Sequence, residues 1–427
     1  MLPSVGEPPA TTRLGWLDAL RGLAALAVAL HHAGYVYFPD VHARMAGWFD
    51  PGTFGVLVFF LVSGYIVPAS LERRGSVRGF WIGRFFRIYP LLAVGGLLAV
   101  TPFLLGSRGL RAGLEQYDPV TAVVAHATML QDVLGVPNAI NVLWTLSYEM
   151  VFYLLIVALF VTGGHRRSAP VAAGLAAAAL LAGGLLPTTL LSRSAGTGPV
   201  AAAAALALLA ALAAAMSDRR VPRIAGGVLG GAVAALLVVL NGRVGPWEGL
   251  AMLAVMFTGT VVYRAEHGQI RRGTAAAAAA AVCLGTLAAG ALHTGPGSGR
   301  DQFLWSGSVV SAALTFAAAW LLRDRAFPRW ATGLGTVSYS LYLLHPLLLM
   351  AAVQFLGFGG RGDDLPGLLL FLAVLVAVSW ASQRWIEAPA QRLGRRLTRR
   401  VVPRPTGAAR PEPRPDCARH PSSPSAA

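Results

Sequence analysis

The feature that most constrains this chain is a series of apolar runs, each about 18–24 residues long. A helix of that length crosses the ~30 Å hydrocarbon core of a lipid bilayer. Charged residues make up only 13% of the 427 residues, and the mean hydropathy of the chain is +0.60. Because a soluble chain carries about a quarter charged residues, the sequence predicts a polytopic membrane protein.

Twelve segments have the length and composition of candidate spans, the Ala-rich ones in the middle of the chain being the weakest. They are 16–37, 53–71, 88–106, 143–162, 170–191, 198–216, 221–240, 247–263, 273–292, 303–322, 335–357 and 366–386. We therefore expect an all-α fold, a polytopic transmembrane helical bundle of about 10–12 spans.

The distribution of basic residues predicts how the spans are oriented. The net charge is +16, and all 35 basic residues are Arg. With a cytoplasmic N-terminus and alternating spans, most of them fall on the cytoplasmic side, as the positive-inside rule requires, and the C-terminus is also cytoplasmic. We expect no nucleic-acid partner, because no compact basic domain with interleaved aromatic residues is present. The basic loops are 72–87, 163–169, 217–223, 264–272 and 323–329.

The chain divides into three parts. Residues 1–13 are polar, and no small-residue cleavage site follows the first apolar run, which predicts a short cytoplasmic N-terminus and an uncleaved first span. Residues 14–390 form the predicted transmembrane domain, in which ionisable and aromatic residues are concentrated towards the two ends. Residues 391–427 are rich in Pro, Arg, Ser and Ala, which predicts a disordered cytoplasmic tail.

The first apolar run, LDALRGLAALAVALHHAG, contains ionisable residues. Arg21 and His32 are eleven residues apart and differ by only about 20° around a helix, with Asp18 on the same face and His31 about 100° away. One interpretation is structural: Asp18 pairs with Arg21 at the cytoplasmic end, and the histidines reach the outer interface. The other is functional, because ionisable groups within a span are costly and imidazole suits proton transfer.

Three further patterns carry candidate chemistry. Arg84 and Arg87, in RFFRIYP, lie on one helix face and could clamp a phosphate, although such a pair is also a common topology signal. Glu149 follows Trp144 in NVLWTLSYEMVFYLL, where an acid at a helix start could instead face lipid headgroups. SYSLYLLHPLLL places Tyr342 and His345 on the same helix face, although a histidine in a helix is often only a packed, hydrogen-bonded residue.

Taken in order, these blocks closely resemble the membrane-bound acyltransferase-3 family, from about residue 14 to residue 390. The blocks are LDALRGLAALAVALHHA, GVLVFFLVSGYIV, RFFRIYP, LWTLSYEMVFYLL, SYSLYLLHPLL and WIEAP. This chain departs from the family pattern at Leu57, where an acid is common, and at Thr145, where Ser is usual. Members of that family are polytopic enzymes that move acetyl or other short acyl groups from acyl-CoA to hydroxyls, usually on sugars.

The resemblance implies roles for particular residues. It makes His32 the general base or an acyl relay, held by Arg21 and Asp18, with Glu149 orienting His32 or the acceptor hydroxyl. It assigns the phosphates of acyl-CoA to Arg84 and Arg87. We expect the acceptor site to be lined by Trp144, Ser147, Tyr153, Tyr342 and His345.

The remaining expectations follow from the same resemblance. They are acyl-CoA, with acetyl-CoA as the default donor, a carbohydrate or glycosylated acceptor, no bound cofactor, and a multi-pass location in the inner or plasma membrane. Cys283 and Cys417 are far apart and predict no disulfide framework and no metal site. The alternatives are a non-catalytic scaffold and a proton-coupled transporter or flippase, against which stands the absence of an internal repeat.

Overall fold

The computed structural model describes residues 14–45, 49–106, 113–182, 184–294, 299–359 and 362–401, and these residues form helices and connections without a strand. The predicted N-terminal segment 1–13 and the tail residues 402–427 lie outside the described residues. The first eight helices are α1 (Gly15–Tyr37), α2 (Pro39–Met45), α3 (Pro51–Arg74), α4 (Val77–Leu104), α5 (Pro119–Ala127), α6 (Trp144–Val161), α7 (Ser168–Ala182) and α8 (Leu190–Ala195).

The second half of the chain continues in the same way, and a π-helical turn at Gln383–Glu387 joins its last two helices. The helices are α9 (Thr197–Ala215), α10 (Arg220–Asn241), α11 (Pro246–Glu266), α12 (Arg272–His293), α13 (Gly299–Leu321), α14 (Arg329–Thr336), α15 (Ser338–Leu356), α16 (Leu365–Ser382) and α17 (Ala388–Val401).

Every predicted span overlaps one of these helices, although the span predicted at 170–191 runs beyond the end of α7 at Ala182. Within the described residues, nine helices are long and apolar enough to cross a membrane. The other three predicted spans coincide with α1 and α11, where polar residues lower the hydropathy, and with α7, whose 15 residues reach only about 22 Å. The predicted fold class, an all-α polytopic bundle, is confirmed.

Helix α3 has well-formed ends that fix the position of α4. The Asp50 carboxylate caps its start and accepts from the backbone N–H of Gly52 at 2.8 Å. It ends at Gly75, whose φ of 61° lies in the left-handed region that glycine adopts easily. Ser76 then caps α4 directly, so the first turns of α4 lie beside the last turn of α3. This connection places the RFFR segment at the predicted cytoplasmic end.

Glycines allow the central helices to cross at backbone contact. Side chains on Gly64 of α3 or Gly259 of α11 would overlap the backbone of the opposite helix. Likewise, a side chain on Gly335, at the end of α14, would overlap the Asp18 carbonyl of α1. These crossings hold α3 between α1 and α11, at the centre of the bundle.

Helix α17 corrects one boundary of the sequence prediction. The tail was expected to be disordered from residue 391, but the chain remains helical to Val401. Gly394 faces the ring of Phe86, so α17 packs closely against the start of α4. Composition alone indicated disorder because five arginines fall in one short segment, yet their spacing leaves one face able to pack.

Candidate active site inside the bundle

An internal cavity of about 80 Å³, which we call the central cavity, lies between α1, α3, α4, α6 and α15. It contains Arg21 of the α1 stripe together with Arg87 and Glu149, so the structure brings together residues from three of the sequence motifs. Its lining is Arg21, Val56, Phe59, Phe60, Ser63, Arg87, Ile88, Thr145, Leu146, Glu149, Ser338, Tyr339 and Tyr342.

Glu149 is the acceptor of a hydrogen-bond chain at this cavity. Its Oε1 accepts from the Tyr153 hydroxyl in a short hydrogen bond and from the Ser63 hydroxyl at 3.5 Å. The Tyr153 hydroxyl in turn accepts from Nη1 of Arg84 at 3.3 Å. A carboxylate held in this way balances the guanidinium of Arg21, whose charge it faces.

Two more carboxylates act on the same guanidinium. Asp18 lies near Arg21 on α1, and Glu387 approaches from the π-helical turn that follows α16. Glu387 is buried, accepts from the Ser340 hydroxyl in a short hydrogen bond, and also faces Arg87. The charges of the predicted polar stripe therefore interact electrostatically with charged groups from three other segments of the chain.

His32 lies in the predicted outer half of the bundle, next to a second histidine. Its Nδ1 is 3.1 Å from the Val28 carbonyl oxygen and 3.1 Å from Nε2 of His345. Its Nε2 is 3.2 Å from Nδ2 of Asn141. The imidazole of His345 is fully buried, and its Nδ1 lies 3.1 Å from the Leu341 carbonyl oxygen.

These distances assign the protons of both neutral rings. A carbonyl oxygen can only accept, so Nδ1 of each ring carries the hydrogen. Nε2 of His345 is then a lone pair that accepts from Nδ1 of His32. Nε2 of His32 is left as the basic nitrogen, and it accepts from the Asn141 amide in this structure. Nδ1 of His32 is thus held on the side of Val28 and His345, and Nε2 faces the Asn141 amide.

Tyr342 connects the histidine pair to the central cavity. Its hydroxyl bonds with that of Thr145 at 2.9 Å, and both residues line the cavity. On its other side the Tyr342 ring lies 6.0 Å from the ring of His345. Tyr342 therefore lies between the cavity and His345, and neither histidine is among the described residues that line the cavity.

A second cavity, of about 390 Å³, lies between α4 and α17 at the predicted cytoplasmic end. We call it the arginine pocket, because every charged side chain of the described residues that line it is an arginine. Arg84 is buried there against the rings of Phe80 and Tyr153, whereas Arg87 lines both cavities. The lining is Arg74, Gly83, Arg84, Phe86, Arg87, Gln391, Gly394, Arg395, Thr398 and Arg399.

Ser147 and Trp144, both predicted to line the acceptor site, lie in α6 beside the buried connection that precedes it. Ser147 is fully buried, and its hydroxyl accepts from the backbone N–H of Asp132 at 3.2 Å. Trp144 is partly buried against Tyr148. Burial raises the pKa of the Asp132 carboxyl, while a hydrogen bond from Asn138 and the charge of Arg243 act in the opposite direction. The connection before α6 is thus a packed support for Asn141.

His31 has polar partners of its own, although its ring also lies 5.2 Å from the ring of His32. Its Nδ1 is 3.4 Å from Oδ1 of Asp50, the residue that caps α3. Its ring lies 5.4 Å from that of His42 and 5.2 Å from that of Tyr35. The two neighbouring histidines thus differ in their polar partners, Asp50 for His31 and Asn141 for His32.

Four polar residues in or near the site were not assigned roles from the sequence. Asn141 is the first residue of NVLWTLSYEMVFYLL, and Glu387 is within WIEAP, so their positions could have been noticed. Arg395 and Arg399 fall in the segment that was predicted to be a disordered tail. Their spacing of four residues is the sequence pattern that could have indicated a helix with one basic face.

Comparison with known proteins identifies the family. A family model described as Acyltransferase domain matches residues 14–384, from the residue before α1 into the π-helical turn. The chain belongs to the acyltransferase-3 family. The resemblance drawn from the sequence motifs is confirmed, and α17 lies beyond the matched region.

Several curated proteins are similar to part of this chain. Acyltransferase MdmB of Streptomyces mycarofaciens is 37% identical over 155 residues, 34% of this chain and 39% of that protein. Peptidoglycan O-acetyltransferase OatA of Listeria monocytogenes is 29% identical over 152 residues, 33% of this chain and 23% of that protein. Nodulation protein 10 of Rhizobium leguminosarum is 30% identical over 162 residues, 32% and 41% of the two lengths. Each alignment covers less than half of the relative.

Proposed function

We propose that this protein is a multi-pass O-acyltransferase of the inner or plasma membrane. It moves an acetyl or other short acyl group from acyl-CoA to a hydroxyl of a carbohydrate or glycosylated acceptor at the cell envelope. The family supports acyl transfer, and the similarity to peptidoglycan O-acetyltransferase OatA supports a carbohydrate acceptor.

The observation that carries the proposal is the side chain of Arg87, which lines both the arginine pocket and the central cavity. The phosphates of acyl-CoA bind to Arg84 and Arg87, since guanidinium groups pair well with phosphate. The thioester arm then extends through the narrow central cavity towards Tyr342 and His32. Arg21 and His32 are separated by about 16 Å along α1, a distance suited to a long flexible arm.

The reaction follows from the orientation of His32. The acceptor hydroxyl displaces the Asn141 amide and gives its proton to Nε2 of His32 as its oxygen attacks the thioester carbonyl. The new C–O bond forms, the C–S bond breaks, and the leaving thiolate takes the proton back from His32. His345 holds the opposite side of the ring throughout.

The test measures transfer of radiolabelled acetyl from acetyl-CoA to host envelope glycans in purified membranes. His32→Ala should abolish transfer, whereas the matched control His31→Ala removes the neighbouring imidazole and should retain most of it. Arg84→Ala/Arg87→Ala should raise the acetyl-CoA concentration needed. Equal transfer by His32→Ala and wild-type membranes would contradict the proposal and favour a proton-coupled transporter.

A further inference from the structure

The arginine pocket has two walls, and only one of them comes from the sequence motif that predicted it. Arg84 and Arg87 stand on α4, and Arg395 and Arg399 stand on α17 opposite them. Arg395 and Arg399 are four residues apart and so lie on one face of the helix. Gly394 brings that face close, because a Cβ at this position would lie only 2.7 Å from the Cβ of Phe86.

The charge of the pocket calls for an anion with several negative groups. Five arginines line it, and no carboxylate appears among the described lining residues. Like charges held this close repel one another, so a polyanionic ligand relieves the repulsion as it binds. The volume of about 390 Å³ falls within the range of about 300–1,000 Å³ typical of small-molecule sites.

We propose that α17 is the second wall of the donor site, and that Arg395 and Arg399 bind the phosphates of a nucleotide carrier. The class of ligand is an adenosine 3′-phosphate 5′-diphosphate, the polar part of coenzyme A, so this inference rests on the proposed function. Arg87 places the same pocket next to the reaction cavity, which is where a carrier must enter with its acyl group.

This wall lies outside the region that defines the family, because the family match ends at residue 384. A phosphate-bearing lipid headgroup shares the chemistry of the nucleotide, and a basic helix also binds to anionic membrane surfaces. The two sources differ in which arginines they use. Arg396 and Arg400 are exposed on the same helix and do not line the pocket, so a membrane surface engages them as well.

The experiment uses the full chain in nanodiscs of neutral phosphatidylcholine, with adenosine 3′,5′-bisphosphate as the probe. Calorimetry compares Arg395→Ala/Arg399→Ala with Arg396→Ala/Arg400→Ala, two variants that lose the same charge at the same spacing of the same helix. The pocket pair should weaken binding at least about tenfold, and the control pair less than about twofold. Thermal unfolding of each variant checks that α17 stays folded.

Three results would overturn the inference. Unchanged binding by the pocket pair would show that α17 does not hold the nucleotide, and equal weakening by both pairs would show only a general effect of charge. Binding of added anionic phosphatidylglycerol that is lost in the pocket pair, with no nucleotide binding by the wild-type protein, would assign the pocket to a lipid. The acetyl-transfer assay separates these results from failure of the proposed function, in which wild-type membranes transfer no label.

Discussion

The hydrogen bond between His345 and His32 predicts a graded effect of substitution. His345→Phe keeps a planar ring of similar size but removes the Nε2 lone pair that accepts from Nδ1 of His32. The Val28 carbonyl oxygen, also 3.1 Å from this nitrogen, still holds the proton in place. The basic nitrogen of His32 therefore keeps its identity, and only part of the restraint on the ring is lost.

The magnitude follows from counting what each variant removes. Loss of one neutral hydrogen bond costs about 0.5–1.5 kcal/mol, which lowers kcat/KM roughly 2–13-fold if it is felt in the transition state. His32→Ala removes the base itself, which costs about 10²–10⁴-fold. His345→Gln presents an amide oxygen that can accept from His32, so it should fall between the wild-type protein and His345→Phe.

The assay is the initial rate of acetyl transfer at several acceptor concentrations, with thermal unfolding in detergent as the check on folding. The expected order of activity is wild type, His345→Gln, His345→Phe and then His32→Ala. If His345→Phe were as inactive as His32→Ala while remaining folded, His345 would take part in the chemistry directly. If His345→Phe matched the wild type, the hydrogen bond would have no role in the reaction. Either outcome would refute the reasoning.

Three other predictions concern charge, packing and pH. Glu149→Gln removes the charged acceptor of the Tyr153 hydroxyl, and transfer should fall roughly 10–100-fold. The unfolding temperature should fall as well, because the buried guanidinium of Arg21 loses a balancing charge; an unchanged rate would argue against a role for this charge. Gly259→Ala places a methyl group against the backbone of the crossing helix and should destabilise the protein by at least about 1–3 kcal/mol. Gly174→Ala is the control, since the space around Gly174 is open, and thermal unfolding should show a lower unfolding temperature only for Gly259→Ala. Because burial raises the pKa of Asp132, the wild type should lose stability as pH rises from below the unfolded-state pKa through the folded-state pKa. Asp132→Asn should remove this loss when unfolding is compared at about pH 3 and about pH 8; the same slope in both proteins would assign the pH dependence to another group.

The sequence was sufficient for the parts of the molecule that depend on local pattern. The predicted spans coincide with helices because run length and apolarity determine a membrane helix. The angle around α1 predicts different neighbours for His31 and His32, and in the structure their polar partners are Asp50 and Asn141, because helical periodicity holds within one element. The RFFR spacing also placed two arginines at one pocket.

The remaining contacts of the site depend on how helices that are distant in sequence pack together, and no local sequence pattern specifies that packing. His345 contacts His32 across 313 residues of sequence, and Ser147 is turned towards a buried connection that only the fold creates. Helix α17 was missed for a different reason, because a basic composition describes the average of a segment and hides a face that packs.

Arg87 lines both the arginine pocket and the central cavity, so binding in one cavity affects binding in the other. A negative ligand in the arginine pocket acts on the same guanidinium that faces the Glu387 carboxylate near the central cavity. Occupancy of one cavity therefore changes the electrostatic free energy of the other, and thermodynamic linkage requires the effect to be equal in both directions. Variants of Arg87 should therefore alter binding in both cavities, whereas variants of Arg395 should alter binding in the arginine pocket alone.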